Sequence, residues 1–202
     1  MTWIKTVSLE ESSGPLKSLY DRVRSSDGQI DQILMAHSLR PHSLTGHMTL
    51  YKNVLHHHAN KLPKWYLETI GVFVSQLNEC EYCMQHHFHG LKRLLDNDKR
   101  ASAIWQTIQS GKLEAAFDTK QISGLNYARL LTLEPANVTS SSVASMREAG
   151  FEDGEILEVN QVTAYFCYAN RTVLGLGVCI AGEVLGLSPN DDSSEDNWGH
   201  QS

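Results

Sequence analysis

The chain lacks several things, and each absence narrows its function. No stretch approaches the roughly 18 apolar residues of a membrane-spanning helix. No cluster of five basic residues appears, and the formal net charge is −6. Nucleic-acid surfaces and polybasic membrane anchors need a concentration of positive charge, so neither partner is expected. The first residues, Met1 to Val7, show no basic region followed by an apolar run. A secretory leader is therefore not expected, and the chain reads as cytoplasmic. Its four cysteines would then stay mostly reduced, and any disulfide would be transient. No five-residue alternating pattern marks a strand, no repeat recurs, and no linker splits the chain before its tail.

What is present reads as helix nearly throughout. The 202 residues suffice for one compact domain over residues 1–188, followed by a polar, acidic tail over 189–202. That tail is expected to be mobile, having too little apolar surface to offset its ordering entropy. Ser8 and Glu11 fit a capping box that would open a first helix running to about Ser25. A short apolar pattern follows Asp31, and a third segment runs from about His42 to His58. Pro63 suits the first turn of a fourth helix. Asn78, with Glu81 three residues on, reads as the cap of a fifth helix reaching Leu95. Further helices are expected over about 99–109, from Asp118 to Leu133, and over 139–149. Asp153 would cap a last stretch, about 155–185, as one helix or two.

The run Asn78-Glu79-Cys80-Glu81-Tyr82-Cys83-Met84-Gln85-His86-His87 carries the chemistry. At about 100° of rotation per residue, Cys83 lies about 60° from Cys80, and His87 about 20° from Cys80 on the other side. The three side chains therefore share a helix face, while His86 falls off it. An i, i+3 cysteine pair places its Cα atoms roughly 5–6 Å apart, within reach of a disulfide that can open and close. A helix start favours a thiolate by about 0.3–1 kcal/mol, less than one pKa unit, so a positioned base is needed as well. Glu68, on the preceding helix, can supply it. A carboxylate half-buried between helices would have a raised pKa and could take a proton from Cys83 through His87. Cys80 would be the disulfide partner, and spacing alone leaves open which sulfur attacks first.

Glu68, Cys80, Cys83 and His87 read E-x11-C-x2-C-x3-H. This resembles the active-site motif of the alkylhydroperoxidase D and carboxymuconolactone decarboxylase superfamily. The local form, with Asn78, Tyr82 and His86, resembles its peroxidase-related branch, as do Arg147-Glu148-Ala149-Gly150-Phe151 and Asn170-Arg171. The resemblance implies an all-α, alkylhydroperoxidase D-like fold and a homo-oligomer (dimer, trimer or hexamer). It also implies reduction of a hydroperoxide at the cysteine pair, restored by a protein or small-thiol reductant. Tyr82, His86 and Asn78 would be auxiliary, and neither cofactor nor metal is called for. Alkylhydroperoxidase D proper has a histidine immediately before the second cysteine, where this chain has Tyr82, a poor base at neutral pH with an ordinary pKa of about 10.

Rival readings stand beside this one. A carboxymuconolactone decarboxylase-like lyase shares the fold but has no need of the cysteine pair. C-x2-C-x3-H could ligate a metal, or the pair could be a redox sensor without turnover. The run His56-His57-His58 is expected to face solvent, because consecutive residues point in different directions. Cys167 and Cys179 are expected to be core residues of apolar helix.

Overall fold

The computed structural model describes residues 2–25, 28–186, 188, 189, 198, 200 and 201. Among them the chain is all-α in its body. Its helices are α1 (Gly14–Val23), α2 (Gln32–Ala36), α3 (Pro41–Tyr51), α4 (Lys64–Leu77), α5 (Glu81–Leu95), α6 (Asp98–Ser110), α7 (Thr119–Leu133), α8 (Ser140–Glu148) and α9 (Asp153–Leu176). A pair of two-residue strands, Ser188–Pro189 and His200–Gln201, joins antiparallel near the C-terminus. No helix among the described residues is long and apolar enough to cross a membrane.

The centre of the fold is α4. Its ten consecutive residues Tyr66 to Ser75 are all buried. A helix apolar on every side must be surrounded, and α4 packs against α5, α6, α7 and α9. Gly71 is why α9 comes so close: a Cβ there would lie 2.2 Å from Cζ of Phe166. Glu68 is thus carried into the interior by the helix it belongs to, and it is 2% exposed.

Several helix starts differ from the sequence expectation. The Ser8–Glu11 box does form, with Ser8 Oγ accepting from Glu11 N and Glu11 Oε2 accepting from Ser8 N, both at 3.3 Å. It closes a turn rather than opening a helix; α1 begins at Gly14, where Pro15 pre-sets the helical φ. Pro63 occupies the cap position itself, one residue before α4. The third segment is helical only to Tyr51, and Lys52–His56 continues it as a π-helical turn. The last stretch is one helix, capped by Glu152 and Glu155 rather than by Asp153. It ends at Gly177, whose φ of +64° stops it well short of the expected limit near residue 185.

Asn78 also takes a different place. It is the C-cap of α4, Glu79 turns the chain in the left-handed region (φ 55°), and Cys80 is the N-cap of α5. Two helices joined by so few residues pack as a hairpin, and the cysteine pair at its turn lies in an apolar cluster with Ala36, Val173 and Val178. Most of the acidic tail lies outside the described residues. Trp198 within it is buried, with the Arg22 guanidinium 3.9 Å above its ring.

Candidate active site around the cysteine pair

The hairpin brings the four motif residues together. His87, two turns into α5, faces α4, and its Nδ1 lies 2.6 Å from Glu68 Oε2. A carboxylate can only accept, so Nδ1 carries the proton and Nε2 is left as the acceptor. Phe166 meets the imidazole edge-on at 4.5 Å between ring centres, which restricts the ring's tilt. Glu68 Oε1 faces His56 Nε2 at 3.7 Å. His56 is therefore buried at the site and not at the solvent surface. The π-helical turn displaces it from its neighbours, of which His58 is exposed.

The ionisation of Glu68 differs from the sequence expectation. Burial, the largest influence, pushes its carboxyl upward. The His87 charge and hydrogen bond, with the charges of His56 and Arg93, outweigh it and hold the group below its ordinary value. Glu68 is therefore a resident carboxylate. It orients the imidazole and leaves Nε2 as the ring's acceptor atom.

Both sulfurs are buried, Cys80 fully and Cys83 at 3% exposure, and both are free thiols. Hydrogen bonding from Cys83 lowers Cys80 below the usual thiol range against the opposing effect of burial, and the Asn170 amide lowers it further. Cys83 moves well above that range, because its S–H donates a hydrogen bond to Cys80 and burial beside that sulfur opposes a second charge. The first ionisation of the pair is therefore eased and the second opposed.

Asn170 is the residue that sequence reasoning cited only for its resemblance and did not place in the site. It is fully buried on α9, where its amide reaches both cysteines. Its Nδ2 donates to Ser75 Oγ at 3.1 Å, and its Oδ1 accepts from Asn78 Nδ2 at 3.0 Å. A carboxamide between Phe166 and Val173 on an apolar helix face was the available signal, since a buried polar group must find partners. Asn78 thus acts at second remove, by holding Asn170.

Cys83, Glu68 and His87 open onto one cavity of about 50 Å3, whose wall also includes Tyr51 and Tyr165. Cys80 is not part of that wall. Tyr82 and His86, also on α5, line it as well. Tyr82 Oη donates to Glu183 Oε1 at 3.2 Å, and His86 Nε2 lies 2.7 Å from Glu183 Oε2. Nothing in the sequence pattern pointed to Glu183, which lies beyond the last helix. Cys167 is half-buried on α9, as expected of a packing residue, whereas Cys179 lies past the helix end and not within it. Among the described residues, no group of three or more His, Cys, Asp and Glu side chains is arranged to hold a metal ion.

No protein-family model matches the chain, and no curated protein matches it in sequence. Solved structures do. An uncharacterized peroxidase-related protein from Silicibacter sp. TM1040 is 23% identical, with a TM-score of 0.67 over 75% of this chain and 77% of that one. An alkylhydroperoxidase AhpD core protein, also described as an uncharacterized peroxidase-related protein, from Ralstonia eutropha JMP134 is 19% identical, with a TM-score of 0.74 over 91% and 97%. The debrominase Bmp8, in its apo form, is 15% identical, with a TM-score of 0.69 over 90% and 91%. At such identities the likeness speaks for architecture alone, and the chain has the all-α fold of the alkylhydroperoxidase D core.

Proposed function

We propose that this chain is a thiol-dependent peroxidase that reduces hydroperoxides through a dithiol–disulfide cycle at Cys80 and Cys83. The observation that carries the reading is the buried Glu68–His87 pair, 2.6 Å apart, on the wall of the same cavity as Cys83. Cys83, whose thiol is raised and so needs a base, gives its proton to His87 Nε2, and Glu68 stabilises the imidazolium; Cys80 keeps its own proton. Cys83, the sulfur on the cavity wall, attacks the peroxide O–O bond and becomes a sulfenic acid; the leaving alkoxide takes the proton from His87. Cys80 then attacks the Cys83 sulfur. An S–S bond forms, and the departing hydroxyl leaves as water with the last thiol proton. Two thiols and one hydroperoxide thus become one disulfide, one alcohol and one water. An external dithiol, protein or small molecule, restores the pair by exchange.

The debrominase of like fold supports a second reading, in which the same two electrons break a carbon–halogen bond. The cavity favours peroxide. In the measure by which one water needs about 10–15 Å3, about 50 Å3 holds roughly three to five waters.

The test is stopped-flow oxidation of the reduced protein by hydrogen peroxide, with free thiols counted afterwards. Loss of two thiols per peroxide is expected. Cys83→Ser should abolish the reaction, and Cys80→Ser should stop it at the sulfenic acid. Unchanged oxidation in both variants would refute the proposal.

A further inference from the structure

We propose that Glu183 is a specificity-determining residue of this site: its carboxylate fastens a strap over the thiol cavity and confines the reaction to hydroperoxides little larger than hydrogen peroxide. The inference rests on the peroxidase reading for its substrate, and on geometry for the strap.

After Gly177 the chain leaves the helix, and residues 178–186, without regular structure, meet α5 again at Glu183 and Gly186. Val178 anchors the start of this strap in the apolar cluster that contains Cys80, Tyr82 and Cys83. From Cys179 to Leu185 the residues are half-buried or exposed, so little apolar burial holds the middle of the strap down. Glu183 is different. Its side chain is only 5% exposed, a costly place for a carboxylate unless every oxygen is satisfied.

Its partners come from two walls of the cavity. The backbone N–H of Gln32 donates to Oε1, as does the Tyr82 hydroxyl, while His86 binds Oε2. Tyr82 and His86 line the cavity from α5, and Gln32 stands between Asp31 and Ile33, which line it from the start of α2. The Ile33 N–H also donates to Tyr82 Oη, at 3.3 Å, so the two walls are tied twice. The end of the strap lies flush on α5. A Cβ on Gly186 would meet His89 Cβ at 2.6 Å and the Gly90 nitrogen at 2.9 Å, and Gly90 belongs to the cavity wall. Gly177, Gly182 and Gly186 all have positive φ, giving the strap bends that other residues resist. Charge-assisted bonds from one side chain therefore hold the middle of the strap to both walls, which the Ile33–Tyr82 bond alone does not do.

The experiment compares the reduced full-length protein with its Glu183→Ala and Glu183→Gln variants. Cys83 alkylation is followed by peptide mass spectrometry with a small reagent, iodoacetamide, and a bulky one, fluorescein maleimide. Turnover is compared for hydrogen peroxide and cumene hydroperoxide. Glu183→Ala should raise the bulky-to-small alkylation ratio about tenfold and move kcat/KM toward cumene hydroperoxide by a similar factor. Glu183→Gln, which keeps the shape and loses the charge, should fall between. If Glu183→Ala does not fold, the Gln variant carries the measurement. An unchanged alkylation ratio in a folded variant overturns the strap. A shifted ratio in a protein that never turns over peroxide supports the strap and sinks only the peroxidase reading.

Discussion

His87 and Glu68, 19 positions apart on consecutive helices, are joined by a 2.6 Å contact between Nδ1 and Oε2 inside the protein. A neutral amide at 68 could still accept from Nδ1 but could not stabilise an imidazolium. Glu68→Gln should therefore slow peroxide-driven disulfide formation by about 10²-fold with the helix content unchanged. If the two residues act as one unit, the double variant Glu68→Gln/His87→Ala will be no slower than His87→Ala alone. Rapid-mixing oxidation rates on the four proteins decide it.

The thiol pair predicts a pH profile. Cys80 is lowered from an ordinary value of 9.0, chiefly by the hydrogen bond from Cys83. Iodoacetamide reactivity should therefore titrate with one midpoint below 9, because the second ionisation is pushed well up. Asn170→Ala removes an amide that favours the thiolate. It should move that midpoint upward and slow alkylation at about pH 7. It also strips Ser75 and Asn78 of a partner, for a loss of about 1–3 kcal/mol in chemical denaturation.

Acid stability should depend on Glu68. Its folded pKa lies below the ordinary 4.5, so the folded state binds its proton less readily than the unfolded chain. The contribution is present in full above about pH 4.5 and is lost as pH falls through the folded value. Glu68→Gln should flatten the fall in Tm below about pH 4.5 and leave the slope between about pH 6 and 8 as it was. An identical acid limb in both proteins would show that Glu68 is not coupled to folding.

Two glycines should answer alanine with opposite signs. At Gly71 the new methyl meets the Phe166 ring at 2.2 Å, so overpacking should cost about 1–3 kcal/mol. Displacing Phe166, which abuts His87, should also slow the thiol chemistry. At Gly46, inside α3, a Cβ meets nothing within 4 Å, and alanine should stabilise by about 0.5–1 kcal/mol. Thermal melts of the two variants check both signs.

Local features were readable from the chain. Helical periodicity marked most of the helices, and the i, i+3, i+7 spacing of Cys80, Cys83 and His87 placed them on one face. Such spacing depends only on helix geometry and holds wherever the helix sits. The caps were read less well, because Asn78 and Cys80 compete for one short connection and only packing decides which residue turns the chain. Other properties belong to the tertiary structure. Burial would raise the Glu68 pKa; His87 and Arg93 from α5 and His56 from the π-helical turn lower it, and no short window of sequence contains them all. Asn170 meets Ser75 and Asn78 from α9, the helix that Gly71 lets approach α4. Glu183 meets Tyr82 and His86 from far along the chain beyond Cys83. Electrostatic balance in a buried site is a sum over neighbours in space, and the sequence lists neighbours only along the chain.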